Sequence, residues 1–286
     1  MHSDQMEASI PIEHDRSTRR TGSRRRSALI AGALALAILA SGCTGPIWGW
    51  GRNSGGELGT GDTTDSAAPV QISSGNWSAV SSGSQHSCGI NPSGSTLWCW
   101  GYNSEGPVGD GTRTTRTSPV QVGTAAWNQV SAGSSHTCGI QSDGTLWCWG
   151  LGMFGQLGDG AKVGRLSPVQ VGTGSWKSVS AGSFFTCGIR SDDTLWCWGL
   201  NTYGQLGDGT VVERAVPVQV GATTWRSVSG GGLHTCGIRS DATMWCWGRN
   251  SSGQVGDTTT QQRTTPVQVG SATWTSVSAG GGHTCG

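Results

Sequence analysis

The sequence predicts an all-β protein of radially packed four-stranded blades, a β-propeller, and three observations carry that reading. Past residue 42 one unit recurs at a step of 49 residues, or 50 where a turn has an insertion. Each unit offers four short runs of β-branched and aromatic residues, P-V-Q-V, W-x-x-V-S, H-T-C-G-I and L-W-C-W-G, with Gly, Pro, Asp and Ser between them. In L-W-C-W-G the tryptophans alternate with Leu and Cys, so both faces of that strand are apolar and need cover. No segment carries a helical period of any length. A solenoid, the alternative repeat architecture, fits poorly with four antiparallel strands per coil.

Each unit is organised around a hairpin with a cysteine on either arm. In HTCGIQSDGTLWCWG (136–150), Ser142-Asp143-Gly144 reads as a three-residue loop, a type I turn closed by Gly144 in the left-handed conformation. That odd loop sets Cys138 opposite Cys148, within the spacing a disulfide needs. A two-residue Asp-Gly loop would send the two sulfurs to opposite faces. Cys187/Cys197 and Cys236/Cys246 keep the spacing of ten, with Asp192-Asp193 and Asp241-Ala242 at the turn. Cys88/Cys99 is spaced eleven because its turn, Pro92-Ser93-Gly94-Ser95, has one extra residue, and an even loop of four again opposes the cysteines. The expected disulfides are therefore Cys88–Cys99, Cys138–Cys148, Cys187–Cys197 and Cys236–Cys246.

Residues 1–42 differ from the rest. Arg16, Arg19, Arg20, Arg24, Arg25 and Arg26 precede an apolar run from Ala28 to Ala40, too short to span a bilayer comfortably and suited to a signal-peptide core. The exit Leu39-Ala40-Ser41-Gly42-Cys43 resembles the bacterial lipobox, with its leucine one residue further from the cysteine than the pattern has it. The resemblance makes Cys43 the lipidated first residue of an exported protein held at the envelope; simple secretion after Gly42 and an uncleaved anchor are the alternatives. Residues 43–46 are then a short tether and 47–286 the repeat domain, with units near 47–76, 77–126, 127–175, 176–224 and 225–273 and a partial one at 274–286. Export suits disulfides. Beyond residue 42 the chain has 12 basic and 13 acidic side chains, which leaves no electrostatic footprint for nucleic acid.

Taken in order, each unit opens at Trp77, Trp127, Trp176, Trp225 or Trp274 and closes its first strand at Gly83, Gly133, Gly182, Gly231 or Gly280. The cysteine hairpin ends in W-C-W-G, a Gly-rich loop such as NTYGQLGDG (201–209) follows, and P-V-Q-V starts at Pro119, Pro168, Pro217 and Pro266. Together G-x-x-H-T-C-G-I, L-W-C-W-G-x-N, G-Q-L-G-D-G and P-V-Q-V resemble the regulator of chromosome condensation repeat, in an exported bacterial form with added cysteines. The likeness covers residues 47–286. It implies a seven-bladed propeller, of which about five repeat equivalents are present. The sequence opens at Ile47-Trp48-Gly49-Trp50-Gly51, with Gly49 at a cysteine position, and stops at His283-Thr284-Cys285-Gly286 within a hairpin. The expectation is that further blades follow; closure into a five-bladed ring is the alternative.

No motif for catalysis stands out: there is no nucleophile elbow, HExxH or phosphate loop. His86, His136, His234 and His283 precede the first cysteine by two, but Phe185 interrupts the series, and the resemblance makes this a structural position. The Gly-Asp-Gly loops offer one carboxylate each, too few for calcium, and the cysteines lack zinc spacing. No metal, cofactor or enzymatic activity is expected. The 15 tryptophans sit at repeat-locked positions and read as core rather than as sugar platforms. Asp110, Asp159, Asp208 and Asp257 lie six residues before Arg116, Arg165, Arg214 and Arg263, and the first unit lacks both, with Thr60 and Ser66 there, so a bond across the loop is expected.

The expected function is a protein-binding scaffold of recognition, adhesion or inhibitor type, its partner unidentified. Inhibitors of β-lactamases among exported relatives enter by resemblance alone. A carbohydrate-binding module and a propeller hydrolase or lyase are the alternatives; guanine-nucleotide exchange, the activity of the family's nuclear member, fits poorly with export. The stretches TRTTRTS (112–118), AKVGRLS (161–167), TVVERAV (210–216) and TTTQQRTT (258–265) vary while the strands do not, and Arg165, Leu166, Val211, Val212 and Arg214 are the candidate contacts there.

Overall fold

The computed structural model describes residues 44–286; the arginine-rich leader, the apolar run and Cys43 lie outside the described residues. Four complete blades are formed, flanked by the antiparallel pair Gly45–Gly51 with Ser66–Trp77 and by the short pair Ser278–Ala279 with Thr284–Cys285. All strand pairings are antiparallel. Within a blade the order is W-x-x-V-S, H-T-C-G-I, L-W-C-W-G, P-V-Q-V. With the incomplete Gly45–Trp77 unit counted as the first blade, these are in the fourth Trp176–Ala181, Phe185–Arg190, Thr194–Gly199 and the first half of Arg214–Gly230.

Arg214–Gly230 is one of two long strands that leave the outer edge of one blade and become the first strand of the next; Arg116–Ala132 is the other. The sequence suggests two strands at each of these places. Between Arg165–Gln170 and Trp176–Ala181 the two do stay separate, across Gly172 and Gly174.

The hairpin register is the one the turn dictates. Cys138 pairs with Cys148, Gln141 and Thr145 close the loop, and Gly144 is left-handed at φ 83°. All four disulfides form, each with Cα atoms 4.1 Å apart, and Cys285 is free.

Blades lock together through two bonds to one loop carbonyl and a third to the threonine hydroxyl that makes one of them. Trp149 Nε1 and Thr137 Oγ1 both donate to Pro107 O, at 2.9 and 2.8 Å, and His86 Nε2 lies 2.8 Å from Thr137 Oγ1. Because the threonine proton is committed to the carbonyl, the histidine donates from Nε2. His136–Thr186–Gln156 O and His234–Thr284–Gln254 O repeat the chain. The indole fits because Gly109 faces it at φ 80°; a Cβ there would lie 2.4 Å from Trp149 Nε1. Trp100, Trp149, Trp198 and Trp247 are thus fully buried, each about an edge from the Trp that opens its unit, for example Trp127 to Trp149 at 5.7 Å. The tryptophans of the complete blades are buried or half-buried against this core, as their repeat-locked positions suggest, but Trp48 and Trp50 of the first strand are 51 % and 39 % exposed because no complete blade covers them.

A candidate partner-binding face

Two sets of connections emerge on the same side of the blades: the tight turn before H-T-C and the long loop after W-C-W-G. They touch through the backbone, since the amides of Tyr102, Leu151, Leu200 and Arg249 donate to the carbonyls of Gln85, Ser135, Phe184 and Leu233 at 2.8–2.9 Å. The Ser-Asp-Gly turns occupy the opposite side.

The long loops are held rigidly. In the second blade Asn103 is buried, and its Nδ2 donates to Asp110 Oδ1, Thr112 O and Thr114 O, while its Oδ1 accepts from Val108 N. Asp110 also receives Arg116, the two meeting at 2.6 Å. Burial alone would raise the Asp110 carboxyl; the bonds from Thr112 and Arg116 outweigh it and hold the group below the usual carboxylate range. Asp159–Arg165, Asp208–Arg214 and Asp257–Arg263 are joined likewise, at 2.7, 2.8 and 2.6 Å, as the sequence pairing suggests. Asp257 is lowered furthest, to about 2: burial opposes the shift, and bonds from Thr259, Arg263 and Asn250 drive it. In the first unit Asp62 takes over, accepting from Asn53 and Thr60.

This scaffold sorts the candidate contacts. Arg165 and Arg214 are occupied by their aspartates. Leu166 is half-buried, lying close over Gly106, and its carbonyl accepts from Gly111 N of the neighbouring loop, so it joins blades. Val211 and Val212 are exposed, together with Val163 and Val216. Lys162 reaches Glu213 at 2.7 Å and ties the two valine-bearing loops side by side.

Sequence reading missed the aromatic part of this face. Phe154 and Phe184, from adjoining blades, meet at 5.5 Å with their rings at 63°, and both are half-buried. Met153 is 56 % exposed beside Phe154, and Tyr102 is 42 % exposed in the second blade. Tyr203 carries Arg249, whose guanidinium carbon is 5.5 Å from the ring centre. Their signal was variation at three repeat positions above all: Tyr102, Leu151, Leu200 and Arg249 after W-G, Glu105, Phe154, Tyr203 and Ser252 three residues further on, and Gln85, Ser135, Phe184 and Leu233 before the histidine position.

The third loop departs from the others. Gly152 stands where Asn53, Asn103, Asn201 and Asn250 anchor theirs, and Val163 O lies so close that a Cβ at 152 would be 2.0 Å from it.

His86, His136 and His234 are structural, while His283 is exposed. Burial lowers His86 and His234 to about 4 and His136 to about 3, His234 being lowered further by His283 and His136 by His86. Phe185 fills the same place fully buried. Among the described residues no group of three His, Cys, Asp or Glu side chains gathers to hold a metal.

The family profile described as "RCC1-like domain" matches residues 3–286. The chain belongs to the RCC1-like domain family. No curated protein sequence matches it. This RCC1-like propeller is similar to solved structures of human WBSCR16 (21 % identity, TM-score 0.74, 83 % of this chain and 66 % of that one). It is likewise similar to yeast Prp20p from Saccharomyces cerevisiae, described with its binding to Gsp1p and histones (17 %, 0.73, 83 % and 63 %). A third match is yeast RCC1 (Prp20) with Kap60 bound (17 %, 0.73, 84 % and 61 %). The chain thus spans 61–66 % of the length of these structures, which share the fold at low identity.

Proposed function

We propose that this RCC1-like propeller is an exported, lipid-anchored scaffold that binds a protein partner through its loop face, without catalysis of its own. The observation that carries the reading is the apolar and aromatic surface on that face. Tyr203, Val211 and Val212 project from the loop that Asn201 and Asp208 hold, Met153 and Phe154 from the loop that Asp159 braces, and Phe184 from the tight turn packed against Phe154. Exposed apolar surface on a rigid frame is the usual composition of a recognition site. Four disulfides fit an oxidising compartment, which supports export. The yeast relative, described as binding Gsp1p and histones, supports protein recognition as a use of the fold.

A photo-crosslinking amino acid placed at Met153 or Val212, and at Asp143 on the opposite side, tests the face in cells that export the protein. Adducts from 153 and 212 but none from 143 are expected. Adducts from 143 alone would move the site to the Ser-Asp-Gly turns. Metabolic labelling with a palmitate analogue, lost on Cys43→Ser, tests the anchor.

A further inference from the structure

The loop face bears eight basic side chains: Arg52, Arg113, Arg116, Lys162, Arg165, Arg214, Arg249 and Arg263. Seven of them have a carboxylate of this chain within 4 Å: Glu57, Glu105, Asp110, Glu213, Asp159, Asp208 and Asp257, respectively for all but Arg249. Among the described residues Arg249 has none.

A comparison inside the chain shows what is missing. Arg52 and Arg249 occupy the same repeat position, and each donates from Nε to the serine two residues on, Ser54 at 2.7 Å and Ser251 at 2.9 Å. Beside Arg52 the loop places Glu57, 3.7 Å away, while the equivalent residue next to Arg249 is Gln254. Both side chains serve the loop in the same way: Glu57 accepts from Gly55 N at 2.7 Å and Gln254 from Ser252 N at 2.9 Å. Replacing acid by amide therefore keeps the loop and removes the counter-charge. Arg249 turns instead onto Tyr203 of the preceding blade, next to Leu233, whose carbonyl accepts its amide.

We infer that Arg249 is the charged anchor of the binding face and receives an aspartate or glutamate of the protein partner, with a large apolar side chain of the same segment seated alongside on the Tyr203–Leu233 side. The inference rests on the proposed binding role of this face and gives it a partner chemistry. A guanidinium held over an aromatic ring keeps its terminal nitrogens free for a carboxylate and loses little freedom on binding one. The seven internally paired cations offer a partner's acid no comparable gain, so Arg249 confers position as well as attraction.

A random peptide library displayed on phage and panned on the purified exported chain reads this out directly. Wild type should enrich segments with Asp or Glu within three positions of Phe, Leu or Trp. A synthetic peptide of the selected sequence should bind about fivefold more weakly to Arg249→Ala, the range of an exposed ion pair. Arg249→Lys should recover part of that binding, and Arg249→Glu should shift the enrichment to Lys and Arg. Circular dichroism of each variant confirms that the exposed substitution leaves the fold intact. Enriched peptides without acid, or with equal affinity for wild type and Arg249→Glu, overturn the inference. If crosslinks from Met153 persist in that case, the binding face stands and only its chemistry fails; no crosslinks and no peptides sink both. Retention on heparin through Arg249 with no acidic peptide selected assigns the site to an acidic glycan and overturns it as well.

Discussion

Nε and Nη2 of Arg165 both reach one oxygen of Asp159, at 2.9 and 2.7 Å, so the carboxylate's other oxygen is left to hold the turn through Ala161 N at 3.0 Å. The same division recurs at Asp110, where one oxygen takes Arg116 and the other takes Asn103 and Thr112. The aspartate is the loop's hub and the arginine its lid.

The two partners should therefore differ in cost. Arg116 is 34 % exposed and Asp110 only 4 %. Arg116→Ala removes a half-exposed ion pair and should destabilise by less than about 1 kcal/mol. Asp110→Ala also takes the acceptor from Thr112 N and Oγ1 and one of the three bonds of the buried Asn103 amide, and should cost about 2 kcal/mol. Urea unfolding of the two variants measures the difference. Equal losses would mean that the charge pair, not the carboxylate's loop bonds, fixes this segment.

Ala242 occupies the left-handed turn position at φ 67°, where the third blade has Gly144 at φ 83°. A non-glycine residue there is strained by about 1 kcal/mol, partly offset in a glycine variant by a more flexible unfolded chain. Ala242→Gly should raise stability by about 0.5 kcal/mol, and Gly144→Ala should lower it. Urea midpoints that move the opposite way would show that the Asp241–Thr243 bonds, and not backbone strain, set the turn.

Each disulfide closes a loop of ten or eleven residues inside one hairpin. The chain-entropy argument gives roughly 3 kcal/mol per loop of this size. Cys138→Ala with Cys148→Ala should lower stability by up to that amount while the other three pairs persist. Peptide mapping without reduction checks both the pairing and its independence from blade to blade.

The strands, the hairpin register and the Asp–Arg pairs were legible because each is local: a cysteine spacing, a turn length, two charges six residues apart. The joining of the fourth strand to the next blade's first strand was not, since Gly123 and Gly221 read as breaks, yet each sits at positive φ within a continuous strand. Phe154 and Phe184 were also hidden. They lie thirty residues apart and meet only because neighbouring blades bring one unit's loop to the next unit's turn. Leu166 misled in the opposite sense: it looked like a free loop residue, while its carbonyl and side chain serve the blade before it.

Three buried histidines make stability depend on mild acid. Burial holds His86 and His234 at about 4 and His136 at about 3, against 6.5 for the exposed group. Between those values the unfolded chain binds protons that the folded one does not. Stability is therefore whole above about pH 6.5 and falls as the pH drops towards 4, by about 1.4 kcal/mol per pH unit for each histidine within its window. The lowered aspartates act in the same direction only further down, as the pH falls from the ordinary carboxylate range towards the value of about 2 at Asp257. Melting temperatures recorded from pH 8 to 4 should stay level and then decline below 6.5. A flat profile down to pH 5 would rule out neutral, buried imidazoles.

Phe185 allows that effect to be isolated. It fills the histidine position of the fourth blade, and across the interface Thr235 Oγ1 already donates to Gln205 O at 2.8 Å, as the threonines bonded to His86 and His136 do to their own loop carbonyls. Its own oxygen lone pair has no imidazole to accept from. Phe185→His places one there: the exchange loses some apolar burial and gains a buried hydrogen bond of about 1 kcal/mol, so at pH 8 the two proteins should be equally stable within about 1 kcal/mol. In acid they should part. The variant carries one more imidazole that is neutral when folded and protonated when unfolded, so its stability should fall more steeply below pH 6.5, by a further 1.4 kcal/mol or so per pH unit. Parallel curves for wild type and variant would show that the new ring is either exposed or protonated in the folded state, and would remove the blade-to-blade His–Thr bond as the source of the acid sensitivity.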